Sequence, residues 1–267
     1  MKNTSLKRAL QAVAACALLG MGSASWAEST WDLSANCGSA VAGATTSCGS
    51  GTNAGTTVSA QAYSTGTGST FATAPVANWG SGSGLGVQYS GETSGSPNHA
   101  MDNSNGTDLI ALKFGADVNL SKVTVGWWAS DYDITVLAYT GGGIPVIAGK
   151  ALSWFTAANG WTSIKNYGSS GTAVAANNIP NGDGTDKAFS TSDSTTYSSW
   201  WLISAYNSGY GGGAMDSIAD YVKLMSVAGN TRPPSDGKVP EPGSLALMGL
   251  GLLGLLGTSR RRKASAA

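Results

Sequence analysis

Apolar residues recur along this chain with a period of two, in short runs separated by Gly, Ser, Asn and Asp. Such alternation puts successive side chains on opposite faces of an extended strand. Over residues 57–63 it groups Val58, Ala60 and Ala62, and over 84–90 it groups Leu85, Val87 and Tyr89. Residues 109–114 set Leu109, Ala111 and Lys113 against Ile110, Leu112 and Phe114, and 118–128 place Val123, Val125 and Trp127 together. Residues 134–139 follow a Ser-Asp-Tyr-Asp connection, which predicts an antiparallel hairpin ended by Gly141, Gly142 and Gly143. Further strands are expected over 161–167, 199–206 and 221–227. A helix over 144–155 is opposed by Pro145 and Gly149. Residues 64–83 and 168–197, rich in Gly, Ser, Thr and Asn, read as surface loops. Eight or more short strands in one domain predict an all-β body, a two-sheet sandwich of jelly-roll type.

Both ends break this pattern. Residues 1–27 have a basic start (Lys2, Lys7, Arg8), an apolar stretch from Ala9 to Gly22, and small residues around Ser25-Trp26-Ala27. That is the layout of a secretory signal peptide, with cleavage expected after Ala27. At the other end, residues 243–259 carry no charge. As a helix they would span ~26 Å at 1.5 Å per residue, close to a ~30 Å hydrocarbon core. Arg260, Arg261, Arg262 and Lys263 follow and are expected to stay cytoplasmic, which leaves everything before Glu241 outside. The glycines at 249, 251 and 254 match a dinucleotide-binding spacing but have no strand before them, so that reading fails its context. The expected organisation is a signal at 1–27, a body at 28–228, a spacer at 229–238 with Pro233-Pro234, and a sorting segment with one transmembrane helix at 239–267.

Removing the ends changes the charge. The chain has 15 basic and 15 acidic residues, but residues 28–239 keep eight basic against fourteen acidic, a formal charge of −6. That balance excludes a nucleic-acid partner, which clustered Lys and Arg would have to hold. Cys16 leaves with the signal, so Cys37 and Cys48 remain, and an even pair in an exported chain reads as a disulfide.

Candidate chemistry is sparse. His99 is the one histidine, and no G-x-S-x-G elbow accompanies it, so it reads as a hydrogen-bonding loop residue and the body as non-enzymatic. Glu92, Asp102, Asp108, Asp131 and Asp133 could supply a carboxylate pair for glycoside hydrolysis, yet Asp131 and Asp133 read better as residues that bound a turn. No cofactor is required. Calcium is the one cation the pattern admits, through Asp102, Asn103 and Asp108 or through Asn181, Asp183 and Asp186, against plain solvated turns. In the pairs Trp127-Trp128 and Trp200-Trp201 adjacent side chains face opposite ways. Trp128 and Trp201 are thus candidates for stacking on sugar rings, against core filling.

The run Val239-Pro240-Glu241-Pro242, the apolar stretch and the basic end together resemble the PEP-CTERM sorting signal of bacterial exported proteins. In that family a membrane protease, exosortase, processes the tail. A second pattern joins residues 99–103, 108–114, 123–127, 131–139 and 220–224, and resembles the body of a family of exosortase-dependent surface proteins. These resemblances imply a route: Sec export, signal peptidase, at least transient residence in the inner membrane, exosortase, then the cell surface or matrix. They imply a structural role there, in biofilm or alongside exopolysaccharide. The alternative is a carbohydrate- or calcium-binding β-sandwich delivered by the same route.

Overall fold

The computed structural model describes residues 27–233 except 54, 94, 96, 169–186, 192–194 and 212–214. The expected signal peptide, the sorting segment and the candidate ligands Asn181, Asp183 and Asp186 lie outside the described residues. Residues Ala27–Arg232 form one compact unit. The strands are β1 (Ser29–Asp32), β2 (Thr46–Ser50), β3 (Thr57–Ser64), β4 (Ala72–Ala74), β5 (Val76–Asn78), β6 (Leu85–Val87), β7 (Met101–Asp102), β8 (Asp108–Ser130), β9 (Ile134–Tyr139), β10 (Trp161–Tyr167), β11 (Lys187–Ser190), β12 (Ser198–Ala205) and β13 (Asp220–Thr231). One short helix, α1 (Leu33–Asn36), is capped by the Asp32 carboxylate, which accepts from the Ala35 amide.

The long strand β8 organises the rest. Its first part lies between β12 and β3, with Leu109 opposite Ser204 and Phe114 opposite Val58. Its second part lies between β11 and β13, with Val125 opposite Lys187 and Ser130 opposite Asp220. β12 then pairs with β9, and β9 with β10. β1, β6 and β7 line the far side of β13.

The two ends of β8 meet. The Asp102 amide donates to the Asp108 carboxylate at 3.4 Å, and Asp102 pairs with Tyr221, which pairs with Ala129. Val118, in the middle of β8, pairs with both Thr231 and Ser198 at the opposite pole. β8 therefore turns back on itself, and its two parts face each other. Trp31 on β1 packs on Phe114 of β8's first part, ring centres 4.9 Å apart. Between the parts sits the main core, including Val58, Ala60, Ile110, Leu112, Val123, Val125, Trp201, Ile203, Val222 and Leu224.

The residues of opposite parity, Leu109, Ala111, Leu137 and Leu202, join Phe71, Phe155 and Trp161 in a second cluster. The 109–114 and 199–206 runs are thus apolar on both faces because both are covered.

Five expectations need correction. The two separate sheets of a jelly roll are one hydrogen-bonded antiparallel sheet, because β8 belongs to both parts. The expected hairpin between 118–128 and 134–139 does not form: β8 ends beside β13, whereas β9 runs between β12 and β10, so Asp131-Tyr132-Asp133 crosses between the parts. Residues 229–231, read as spacer, extend β13, where Gly229, Asn230 and Thr231 pair with Leu120, Asn119 and Val118. Gly229 is required there, since a Cβ would stand 2.3 Å from the Asn119 carbonyl oxygen. The helix over 144–155 shrinks to one 3-10 turn, Leu152–Trp154, and Gly149 has φ +77°. The 64–83 and 168–197 loops hold the short strands β4, β5 and β11. Among the described residues no helix is long and apolar enough to cross a membrane. Cys37 and Cys48 form a disulfide.

Candidate functional site

The chemistry gathers at the pole where β8 begins and ends. The crossing residues Asp131 and Asp133 are fully buried there, and so is Asp220 at the start of β13. One carboxylate oxygen from each of Asp131, Asp133 and Asp216 lies within 4.8 Å of the others. Ser130 turns the chain into the crossing with φ +60°. Asp220 Oδ1 accepts from the Asp133 amide at 2.7 Å, and its Oδ2 accepts from Asn103 Nδ2 at 2.6 Å. Asn103 Oδ1 in turn accepts from the Asp220 amide at 2.8 Å, and Asn103 Nδ2 also donates to the Tyr206 carbonyl. The Tyr132 amide donates to Asp131, and the Ile218 amide to Asp216. Gly168 lies so close that a Cβ would meet Asp133 Oδ1. Burial, with Asp133 and Asp131 adding repulsion, pushes the Asp220 carboxyl up to about 8. An open depression of about 500 Å³, lined in part by Asn103, Tyr206, Asn207 and Asp216, reaches the edge of this group at Asn103 and Asp216.

A second set lies beside it. Asp102 and Asp108 are buried, and the Ser104 amide donates to Asp102 Oδ1. Burial raises Asp102 to about 6 and holds Asp108 well above the usual carboxylate range, Asp102 itself adding to the latter. Glu92 Oε1 accepts from the His99 amide at 3.0 Å, and His99 Nδ1 stands 3.8 Å from Glu92 Oε2. His99 takes φ +62° and packs at 6.0 Å from Trp79.

The structure thus divides the proposed calcium loop. Asp102 and Asp108 stay together, but Asn103 turns to Asp220, because the pairing of β7 with β13 makes residues 131–133 and 216–220 its neighbours. The two aspartates are buried, whereas Ser104 and Asn105 in the turn between them are exposed.

The opposite pole is where the chain leaves the body. Thr231 ends β13, the Arg232 amide donates to the Asp117 carbonyl, and Arg232 Nε reaches the Asp117 carboxylate at 3.2 Å. Beyond Pro233 comes the Pro-Glu-Pro segment, and a family model described as the PEP-CTERM protein-sorting motif matches residues 238–263. The chain carries a PEP-CTERM sorting signal. That signal implies export, membrane-associated sorting and exosortase as the processing partner. No curated protein matches the chain.

In the body of this PEP-CTERM protein Trp128 and Trp201 fill the core, the alternative to sugar stacking. Trp128 is 4% exposed and Trp201 0%, so neither offers a face to a sugar. Trp201 Nε1 donates to the carbonyls of Val118 and Ser198, and Trp128 packs edge-on against Tyr132 at 4.9 Å. Alternation puts Trp128 and Trp201 on the faces that enter the main core and leaves Trp127 and Trp200 outside it. Among the described residues the exposed tryptophans are Trp79 and Trp154, each under a lysine: Lys223 Nζ lies 4.0 Å from the Trp79 ring centre and 4.1 Å from that of Trp127, and Lys150 Nζ 3.7 Å from that of Trp154. Burial lowers Lys223 to about 8. Asp216 carries no motif in the sequence, and Asp220 and Lys223 lie in the 220–224 stretch of the surface-protein resemblance, which gives them no role. Only the pairing of β13 with β8 brings them to the sites.

Proposed function

We propose that this protein is a non-enzymatic, exported surface or matrix protein, carried across the inner membrane by Sec and released from its signal by signal peptidase. Exosortase then acts on its Pro240-Glu241-Pro242 segment, and the body is delivered to the cell surface, where exopolysaccharide is its expected surrounding. The observation that carries this is the PEP-CTERM motif at residues 238–263. The non-enzymatic part is supported by the use of both Asp220 carboxylate oxygens in internal hydrogen bonds. The test is mass spectrometry of the mature protein from the envelope and medium of its own host. The expected species begins after Ala27 and lacks everything beyond the Pro-Glu-Pro region, and Glu241→Ala accumulates the uncut form. A wild-type chain intact to Ala267 would overturn it.

One observation favours a second reading, calcium binding by the body: three carboxylate oxygens of Asp131, Asp133 and Asp216 lie within 4.8 Å, with Asp220 hydrogen-bonded to the Asp133 amide. Hard oxygen donors in that number suit a calcium ion. A calorimetric titration with calcium should release heat and raise the melting temperature, and Asp131→Asn should remove both effects. No heat and no thermal shift in the wild type would end this reading.

A further inference from the structure

Tyr89 stands where two depressions in the surface of the body meet. The larger, about 480 Å³, has an apolar wall at Ala72, Ala74 and Pro75 and polar groups at Thr65 and Gln88. The smaller, about 250 Å³, is mostly polar, with Glu92, Asn98, Asp102 and Tyr221 among its walls. Tyr89 lines both and is half-buried.

Fixed groups frame the ring on each side. It rests on Gly66, where a Cβ would stand 3.3 Å from Tyr89 Cδ2, and Gly66 holds φ +48°. The Gly66 amide donates to the Ser64 hydroxyl, and the Thr107 amide to Thr65 Oγ1. On the other side the His99 amide donates to Glu92 Oε1, Asn98 Nδ2 to the Thr93 carbonyl, and the Ser104 amide to Asp102. Walls set in this way lower the ordering cost of binding.

Chemistry narrows the occupant. Among the described residues no Lys or Arg lines either depression. Burial, and then the charges of Glu92, Asp102 and Asp108, raise the Tyr89 hydroxyl, so all three carboxylates bear on this spot. An anion is repelled there. These three carboxylates are not gathered as those of Asp131, Asp133 and Asp216 are, within 4.8 Å, so they are not spaced for a single bare ion. Ionised carboxylates only accept hydrogen bonds, so the ligand brings the donors. The phenol ring and the alanine-proline wall take an apolar face. Hydroxyl edges around a C–H face are the chemistry of an uncharged sugar, and two depressions sharing Tyr89 hold more than one ring.

We propose that Tyr89, with Glu92 and Asp102 on one side and Thr65 and Gln88 on the other, binds an uncharged glycan chain. One sugar ring lies on the phenol, and hydroxyls of its neighbour donate to the two carboxylates. No residue of either terminal segment takes part, so the site stands or falls separately from the sorting route.

Frontal affinity chromatography over the immobilised full chain tests it, in the sugar-free detergent lauryldimethylamine oxide. The probes are neutral dimers to hexamers of glucose, mannose, galactose or N-acetylglucosamine, with a mannuronate hexamer as the anion. The expected result is retardation of at least one neutral series, growing with chain length, and none of the mannuronate. Glu92→Gln, which keeps the acceptor for the His99 amide, weakens retention about tenfold. Tyr89→Ala abolishes it, Tyr89→Phe keeps it, and Trp154→Phe leaves it unchanged. The proposal is overturned if no neutral series is retarded, if mannuronate is retarded equally, or if neither Glu92→Gln nor Tyr89→Ala alters retention. Retention that a chelator abolishes overturns it too, since an ion would then stand between sugar and carboxylates.

Discussion

Asp220 and Lys223 stand three positions apart on β13 and are perturbed in opposite senses by the same cause, burial. The Asp220 carboxyl rises to about 8, so the folded protein holds a proton that the unfolded chain releases near pH 4. Its contribution to stability is complete below pH ~4 and is lost as the pH rises to about 8. Lys223 falls to about 8, so its buried ammonium is a constant cost below that pH, relieved as the pH rises from 8 towards 10.5. Without calcium, these two groups place a minimum of stability near pH 8. Denaturation followed from pH 4 to 10 should show the minimum. Asp220→Asn should make the acid limb shallower, the raised Asp102 and Asp108 carboxyls keeping part of it, and Lys223→Met should flatten the alkaline limb. A profile unchanged by both would show that other groups set it. The perturbed pair was not legible in the sequence, because neither side chain looks unusual until β13 lies against β8.

At the level of elements, β13 is longer than its apolar alternation. The pattern ends near Ala228, and Gly229-Asn230 reads as a turn in isolation. The backbone of β8 at Val118–Leu120 offers ladder partners, and those hydrogen bonds carry the strand three residues further. A body ending at Ala228 should therefore melt below one ending at Pro233, through the lost pairs and not through the exposed Arg232–Asp117 ion pair, which is worth ~0–1 kcal/mol at most. Equal melting temperatures for the two bodies would restore 229–231 to the spacer. The strands of 57–63, 109–114, 134–139 and 161–167 were legible because Val, Ile, Leu and aromatic residues alternate in them. β1, β2, β4, β5 and β11 were not, being short and built largely of Ser, Thr and Ala, whose pairing is decided by the neighbour and not by the residue.

On the scale of the whole molecule, β8 ties the two facing parts of the body together. Its side chains enter the main core from both of its parts, Ile110 and Leu112 from one, Val123 and Val125 from the other. Neither part can open without exposing the other's buried face. Unfolding of the body should accordingly be a single transition, with near-ultraviolet and far-ultraviolet dichroism coincident in denaturant. Two separated transitions would mean that the parts are independent. The same long strand separates the poles, with buried acids at one and the exit towards the PEP-CTERM signal at the other.

The sorting of this protein is written in local features that require no fold to act: a Pro-Glu-Pro segment, an uncharged run and four cations. Local residue types likewise settle the all-β character, since alternation and scarce helix formers act within each run. The pairing partner of each strand was decided only when the chain closed on itself, because hydrogen bonds between distant segments depend on which faces need covering. That closure buried Trp128 and Trp201, carried β9 away from β8, and drew Asp131, Asp133, Asp216 and Asp220 to one point from positions up to 89 residues apart. Carboxylates so placed are a property of the packed sheet, because nothing short of its tertiary contacts holds like charges together out of water.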